Sequence, residues 1–138
     1  IAHNLLPPIL DKFGLKDAIE ELADSFSNSR KININYSINY KNKQLPSQSE
    51  LHFFRIVQEL INNSVRHGKA KNSSINITSK NNKIHFNYKD DGVGFNLNDS
   101  SLKKGIGMKN IESRVALLQG KYSIKTTKNK GFEININT

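Results

Sequence analysis

Residues 47–67, SQSELHFFRIVQELINNSVRH, constrain the fold more than any other stretch of the chain. Val57, Leu60, Ile61 and Val65 hold one apolar face of a helix. Glu59, Asn63 and His67 recur every four residues on the stripe beside it. Such a helix lays its apolar face on a core from one side only. It also carries a carboxylate, an amide and an imidazole along the margin of that core. Ser47 followed by Glu50 has the pattern of a capping box and sets the start of the helix. Gly68 is expected to be its C-cap.

The rest of the chain supplies what that face packs against. Leu15, Ala18, Ile19, Leu22, Ala23 and Phe26 predict a helix after Gly14. Residues 31–40 alternate apolar and polar, as a half-buried strand does. Residues 74–79 and 83–89 read as two strands joined at Asn81-Asn82, a hairpin turn. Residues 90–107 are rich in glycine and polar residues and read as loop. Met108, Ile111, Val115 and Leu118 predict a third helix over 108–119, ended by Gly120. A second hairpin is centred on residues 128–131. Pro7 and Pro8 mark a boundary, since the residue before a proline avoids helix. Three helices with single apolar stripes and five strands, read without strand–helix–strand alternation, predict an α+β fold. It is a two-layer sandwich with the helices on one face of a mostly antiparallel sheet.

A length of 138 residues suits one domain. The 21 basic and 12 acidic residues give a net charge of +9, which suits a polyanionic ligand or simple solubility, because the lysines are scattered. Without cysteine, disulfides and thiolate metal sites are excluded. No apolar run reaches the length of a membrane span. There is no recognition-helix pattern and few interleaved aromatics, so no nucleic acid partner is expected. The start at IAHNLLPPIL, without Met, suggests a piece of a longer protein.

Two glycine clusters carry the chemistry. Asp90-Asp91-Gly92-Val93-Gly94 follows directly on a strand, and Gly105-Ile106-Gly107-Met108 opens a helix. Glycine lets the backbone approach a ligand, and a helix N-terminus presents free N–H groups to phosphate. Lys103 and Lys104 add charge just before it. Either cluster alone also suits a tight turn or an ordinary connection. Neither matches a P-loop, which ends in Gly-Lys-Ser/Thr.

The order of the parts is more specific. RIVQELINNSVRHGKA, DDGVGF and GIGMKNIESRVALLQG occur in sequence over nearly the whole chain. Together they resemble the N box and the two glycine boxes of the ATP-binding domain of bacterial sensor histidine kinases. These belong to the GHKL superfamily with gyrase, Hsp90 and MutL. The short loop after Phe95 is similar to the DesK-like and nitrate-sensor branch.

The resemblance implies a Bergerat-type sandwich over residues 14–138, with residues 1–13 the end of a linker from a dimerisation and phosphoacceptor region. It implies ATP and Mg2+ as ligands, with Asn63 binding the magnesium and Glu59 activating the attacking group. Arg66 and His67 are then near the phosphates, and Asp90 hydrogen-bonds the adenine amino group between Gly92, Gly94 and the strand end. Lys104, Gly105, Gly107 and Met108 line the lid. The γ-phosphate would pass to a histidine of dimerisation helices that this chain lacks. His3 is read as connection rather than acceptor. A response regulator downstream, a homodimeric parent and a cytoplasmic placement follow, with membrane anchoring of the parent left open. The alternatives stay bland: Asn63 as a surface amide, Glu59 and Arg66 as solvated charges, His67 as a partner of the helix dipole, and the whole domain as a pseudokinase-like interaction module.

Overall fold

The computed structural model describes residues 6–94 and 107–138. Among these residues four helices lie on one face of a five-stranded sheet: α1 (Pro8–Lys12), α2 (Leu15–Asn28), α3 (Ser47–Arg66) and α4 (Met108–Leu117). The strands are β1 (Asn33–Asn39), β2 (Asn72–Lys80), β3 (Lys83–Asp90), β4 (Lys121–Thr126) and β5 (Phe132–Asn137), in spatial order β1-β2-β3-β5-β4. All neighbours pair antiparallel except β1 and β2, which are parallel. That pair corrects the sequence reading, because β1, α3 and β2 do form a strand–helix–strand unit. Parallel neighbours cannot be joined by a tight turn and need a crossover, which α3 supplies.

The two-residue period of the strands separates the faces. Ile75, Ile77, Ile84, Phe86, Tyr88, Ile134 and Ile136 point into the core, while Asn76, Thr78, His85 and Lys89 are exposed. Phe53 of α3 meets Phe86 of β3 with ring centroids 6.1 Å apart and tilted planes, inside the range that favours aromatic pairs. Both hairpins are as expected. Asn81 and Asn82 both take positive φ, at 53° and 64°, as a two-residue turn requires.

Three local features differ from the reading of the sequence, and a fourth, the capping of α2, was not read from it. α1 is an additional one-turn helix. Pro8 is its first residue, where a missing N–H costs nothing, and Leu10 is buried. α2 has no local cap, since Gly14 stands at its N-cap. The cap comes from the loop after β1, where Asn42 Oδ1 accepts the Lys16 N–H at 2.7 Å. α3 does start at Ser47, but no side chain caps it. Glu50 turns inward instead, is buried, and accepts hydrogen bonds from Tyr40 Oη at 2.6 Å and the Lys43 N–H at 2.8 Å. Finally, Lys69 (φ 50°) and Gln119 (φ 57°) take the left-handed conformation at the ends of α3 and α4, not the expected Gly68 and Gly120.

Candidate functional site

The C-terminal half of α3, the end of β3 and the start of α4 converge. Gly68, just past α3, explains part of the convergence. Its carbonyl accepts the Val93 N–H at 2.8 Å. A Cβ on Gly92 would lie 2.5 Å from that same oxygen, so the turn after β3 can dock on α3 only with glycine there. The demand for glycine in this contact falls on Gly92; a Cβ on Gly68 would meet only the end of its own helix, the Ser64 carbonyl at 3.1 Å. Gly94 (φ 63°) continues the turn and packs on the backbone of the β4–β5 hairpin at Thr127 and Gly131.

Asp90 and Asp91 are sharply divided. Asp90 is buried at the end of β3. Its Oδ1 accepts the Gly92 N–H at 2.9 Å, and its Oδ2 accepts the Ser64 hydroxyl at 2.6 Å. Ser64 lies in turn 2.6 Å from the hydroxyl of Tyr88, and both are buried. Burial drives the Tyr88 phenol up to about 12, so it keeps its proton at neutral pH. Asp91 points away into solvent. It accepts the N–H groups of Lys71 and Asn72, each at 2.9 Å, and the Asn72 side-chain amide at 2.8 Å. The Asn72 side chain, with those backbone groups, holds the Asp91 carboxyl below its ordinary range.

Asn63 is half-buried one residue before Ser64, and its side chain makes no hydrogen bond to another described residue. Arg66 and His67 follow on the last turn of α3 and are exposed. Glu59, one turn earlier, faces the start of α4. A Cβ on Gly107 would come within 2.7 Å of Glu59 Cδ, and Asn110 Nδ2 reaches Glu59 Oε1 at 3.5 Å. Gly107 is the N-cap of α4 at φ 73°. Met108 is buried and anchors α4 in the core. Lys104 and Gly105 lie outside the described residues.

A small cleft of about 170 Å³ opens between α3 and α4, lined by Arg55, Gln58, Glu59, Asn62, Asn110 and Arg114 among others. Arg114 donates to His52 Nδ1 at 3.1 Å, which leaves the proton of a neutral imidazole on Nε2. Burial first, then Arg114, lowers the His52 pKa. Nothing in the glycine boxes flags Ser64, Tyr88 or Arg114. The available signal for Tyr88 was its place two residues before Asp90, hence on the same face of β3.

Known proteins resemble this chain in sequence and in fold. Residues 48–138 match the family described as histidine kinase-, DNA gyrase B-, and HSP90-like ATPase. The chain is 33% identical over 135 residues to the sensor histidine kinase ComP of Bacillus subtilis, covering 97% of this chain and 18% of that protein. It is 36% identical over 72 residues to the sensor histidine kinase LiaS of the same organism, covering 52% of this chain and 19% of LiaS. The chain therefore spans about a fifth of the length of these relatives. Among solved structures, the histidine kinase domain of the Erythrobacter litoralis EL346 blue-light activated kinase superposes with a TM-score of 0.67 at 16% identity, over 86% of this chain and 58% of that one. The ATP-binding domain of PrrB from Mycobacterium tuberculosis gives 0.66 at 14%, over 86% of this chain and 88% of that one. Structural likeness at such identity speaks for the fold; the sequence match over most of the chain decides the family. The chain belongs to the histidine kinase-, DNA gyrase B- and HSP90-like ATPases.

Proposed function

We propose that this domain binds Mg–ATP and transfers the γ-phosphate to a histidine on dimerisation helices outside this chain, with residues 1–13 leading in from them. The observation that carries this reading is Asp90. It is a buried carboxylate at a strand end, held by Ser64 and by its own turn. A carboxylate has about four lone-pair directions, and two are taken, so acceptor capacity remains for an exocyclic amine. Gly92 brings the turn onto α3 and so keeps that carboxylate beside the helix carrying Asn63.

The donor set suits magnesium in a particular way. No group of three or more His, Cys, Asp or Glu residues among the described ones can hold a metal. Magnesium keeps several waters and takes one or two protein oxygens with substrate phosphates, which one Asn63 amide oxygen satisfies. Bound there, the ion neutralises charge on the phosphates. Arg66 places a cation on the last turn of the same helix with the His67 ring beside it, and Gly107 and the backbone of Met108 border the phosphates; Lys104 and Gly105 are assigned to the phosphates by their likeness to the second glycine box alone. In the transfer step an imidazole nitrogen of the acceptor attacks the γ-phosphorus. The bond to the bridging β–γ oxygen breaks and ADP leaves. Glu59 takes the proton from the other imidazole nitrogen. The phosphate then passes to a response regulator, and the parent acts as a homodimer. No helix among the described residues is long and apolar enough to cross a membrane.

Calorimetric titration with ATP, with and without magnesium, tests the reading. Asn63→Ala should leave the magnesium-free binding intact and remove the magnesium-dependent gain. Equal responses of both proteins to magnesium would take Asn63 out of the site. Transfer of labelled γ-phosphate to an added acceptor domain should appear with the wild type and be lost in Glu59→Gln.

A further inference from the structure

We infer that Tyr88 and Ser64 form a buried hydroxyl relay that fixes Asp90 as a hydrogen-bond acceptor, and that this relay, rather than the carboxylate alone, makes the site selective for a base with an amino group over one with a keto group. The inference rests on the proposed role of Asp90 toward the base and deepens it.

The direction of the relay follows from proton counting. Ser64 owns one hydroxyl proton, and at 2.6 Å that proton goes to Asp90 Oδ2. The 2.6 Å contact between Ser64 Oγ and Tyr88 Oη must then be donated by Tyr88. Tyr88 keeps its proton throughout the neutral range because burial raises its pKa. The Gly92 N–H donates to Oδ1 from the other side. Both carboxylate oxygens therefore face donors, and the group presents lone pairs only. A free carboxyl in a buried site can instead rotate or take up a proton and offer O–H to a keto oxygen. Here rotation breaks a charge-assisted bond on each oxygen. The three side chains come from two elements. Ser64 lies on α3 one residue after Asn63, and Tyr88 lies two residues before Asp90 on β3. The relay thus ties the base-reading end of the site to the helix that carries the proposed metal ligand. Ser73, opposite Asp90 on β2, is buried and acts on the Tyr88 hydroxyl as a second polar neighbour, at the far end of the relay from Asp90.

The test is binding of Mg–ATP and Mg–inosine triphosphate, which carries a keto oxygen where adenine carries the amine. Four proteins are compared: wild type, Tyr88→Phe, Ser64→Ala and the double variant. Each is checked by thermal melting for a cooperative fold. The wild type should prefer ATP; Ser64→Ala should reduce that preference by about tenfold, the worth of one hydrogen bond to a charged group, and Tyr88→Phe, which removes a bond to a neutral hydroxyl, by about fivefold. The double variant should lose no more than the worse single one, because both belong to one chain of bonds. A merely structural role would lower the melting temperature and weaken both nucleotides alike, leaving the preference untouched. That result in either folded variant overturns the relay. A wild type that binds both nucleotides equally overturns the reading of Asp90 as well, whereas retained preference in the variants sinks the relay alone.

Discussion

Asp90 and Asp91 are neighbours with opposite tasks. Asp91 accepts three hydrogen bonds from the Lys71–Asn72 segment and joins the end of β3 to the start of β2. Its exposure limits what these bonds are worth, since solvent screens them. Its folded pKa lies below the unfolded one, chiefly through the Asn72 side chain. The contribution is therefore complete above the ordinary carboxylate range and is lost as pH falls through the depressed folded value. Asp91→Ala should lower the melting temperature by a few degrees at neutral pH and less in acid, while leaving nucleotide affinity unchanged. Asp90→Ala should weaken ATP binding by roughly 10- to 100-fold. Melting curves across pH and calorimetric titration separate the two. A loss of affinity in the Asp91 variant with none in the Asp90 variant would exchange their roles.

At the scale of elements, helix ends hold the most tractable strain. Gln119 follows α4 with φ 57°, and the Gly120 N–H closes the end by donating to the Val115 carbonyl at 3.0 Å. A residue with a Cβ pays in that conformation, and glycine does not. Gln119→Gly should stabilise the fold by about 0.5–1 kcal/mol, read by urea denaturation; unchanged or reduced stability would mean the end is already relaxed. Glu50 makes the converse case. Glu50→Ala leaves the buried Tyr40 hydroxyl and the Lys43 N–H without their acceptor, and should cost roughly 2–3 kcal/mol. If its main role were to cap α3, the loss would stay near 1 kcal/mol. These two residues also show where the sequence was legible. The long helices and strands were readable because burial on one face imposes a period of 3.6 or 2. The Ser47-to-Glu50 spacing could not distinguish a capping carboxylate from one bonded to Tyr40, ten residues upstream. Likewise Gly68 read as a cap, although Lys69 takes the left-handed conformation and the contact of the Gly68 carbonyl makes its demand on Gly92. α1 was missed because five residues give no period. In the site, Asp90 stood out by its glycines, while its tie to Ser64 spans 26 residues and exists only in the fold.

For the whole molecule the charge is unevenly spread. Asp11, Asp17, Glu20, Glu21 and Asp24 place five of the twelve acidic residues within residues 11–24, on α1 and α2, against only Lys12 and Lys16 there. The rest of the chain is correspondingly basic and attracts a triphosphate over distances set by the Debye length. Binding and folding are linked, because a ligand that engages only the folded state stabilises it by RT ln(1 + [L]/Kd). At a hundredfold excess over Kd that is about 2.7 kcal/mol, which for a domain of this size raises the melting temperature by roughly 10 °C. Mg–ATP should produce this shift in the wild type, and added salt should reduce it at fixed ligand by weakening the affinity. Asp90→Ala, measured at the same ligand concentration, should show about half of the shift if Kd rises tenfold and about a sixth if it rises a hundredfold. A rise that persists undiminished in that variant would place the nucleotide elsewhere on the basic surface, held by charge rather than by the turn after β3. Absence of any rise, in a wild type that melts cooperatively, would leave the family fold without its nucleotide and favour a role through protein contact.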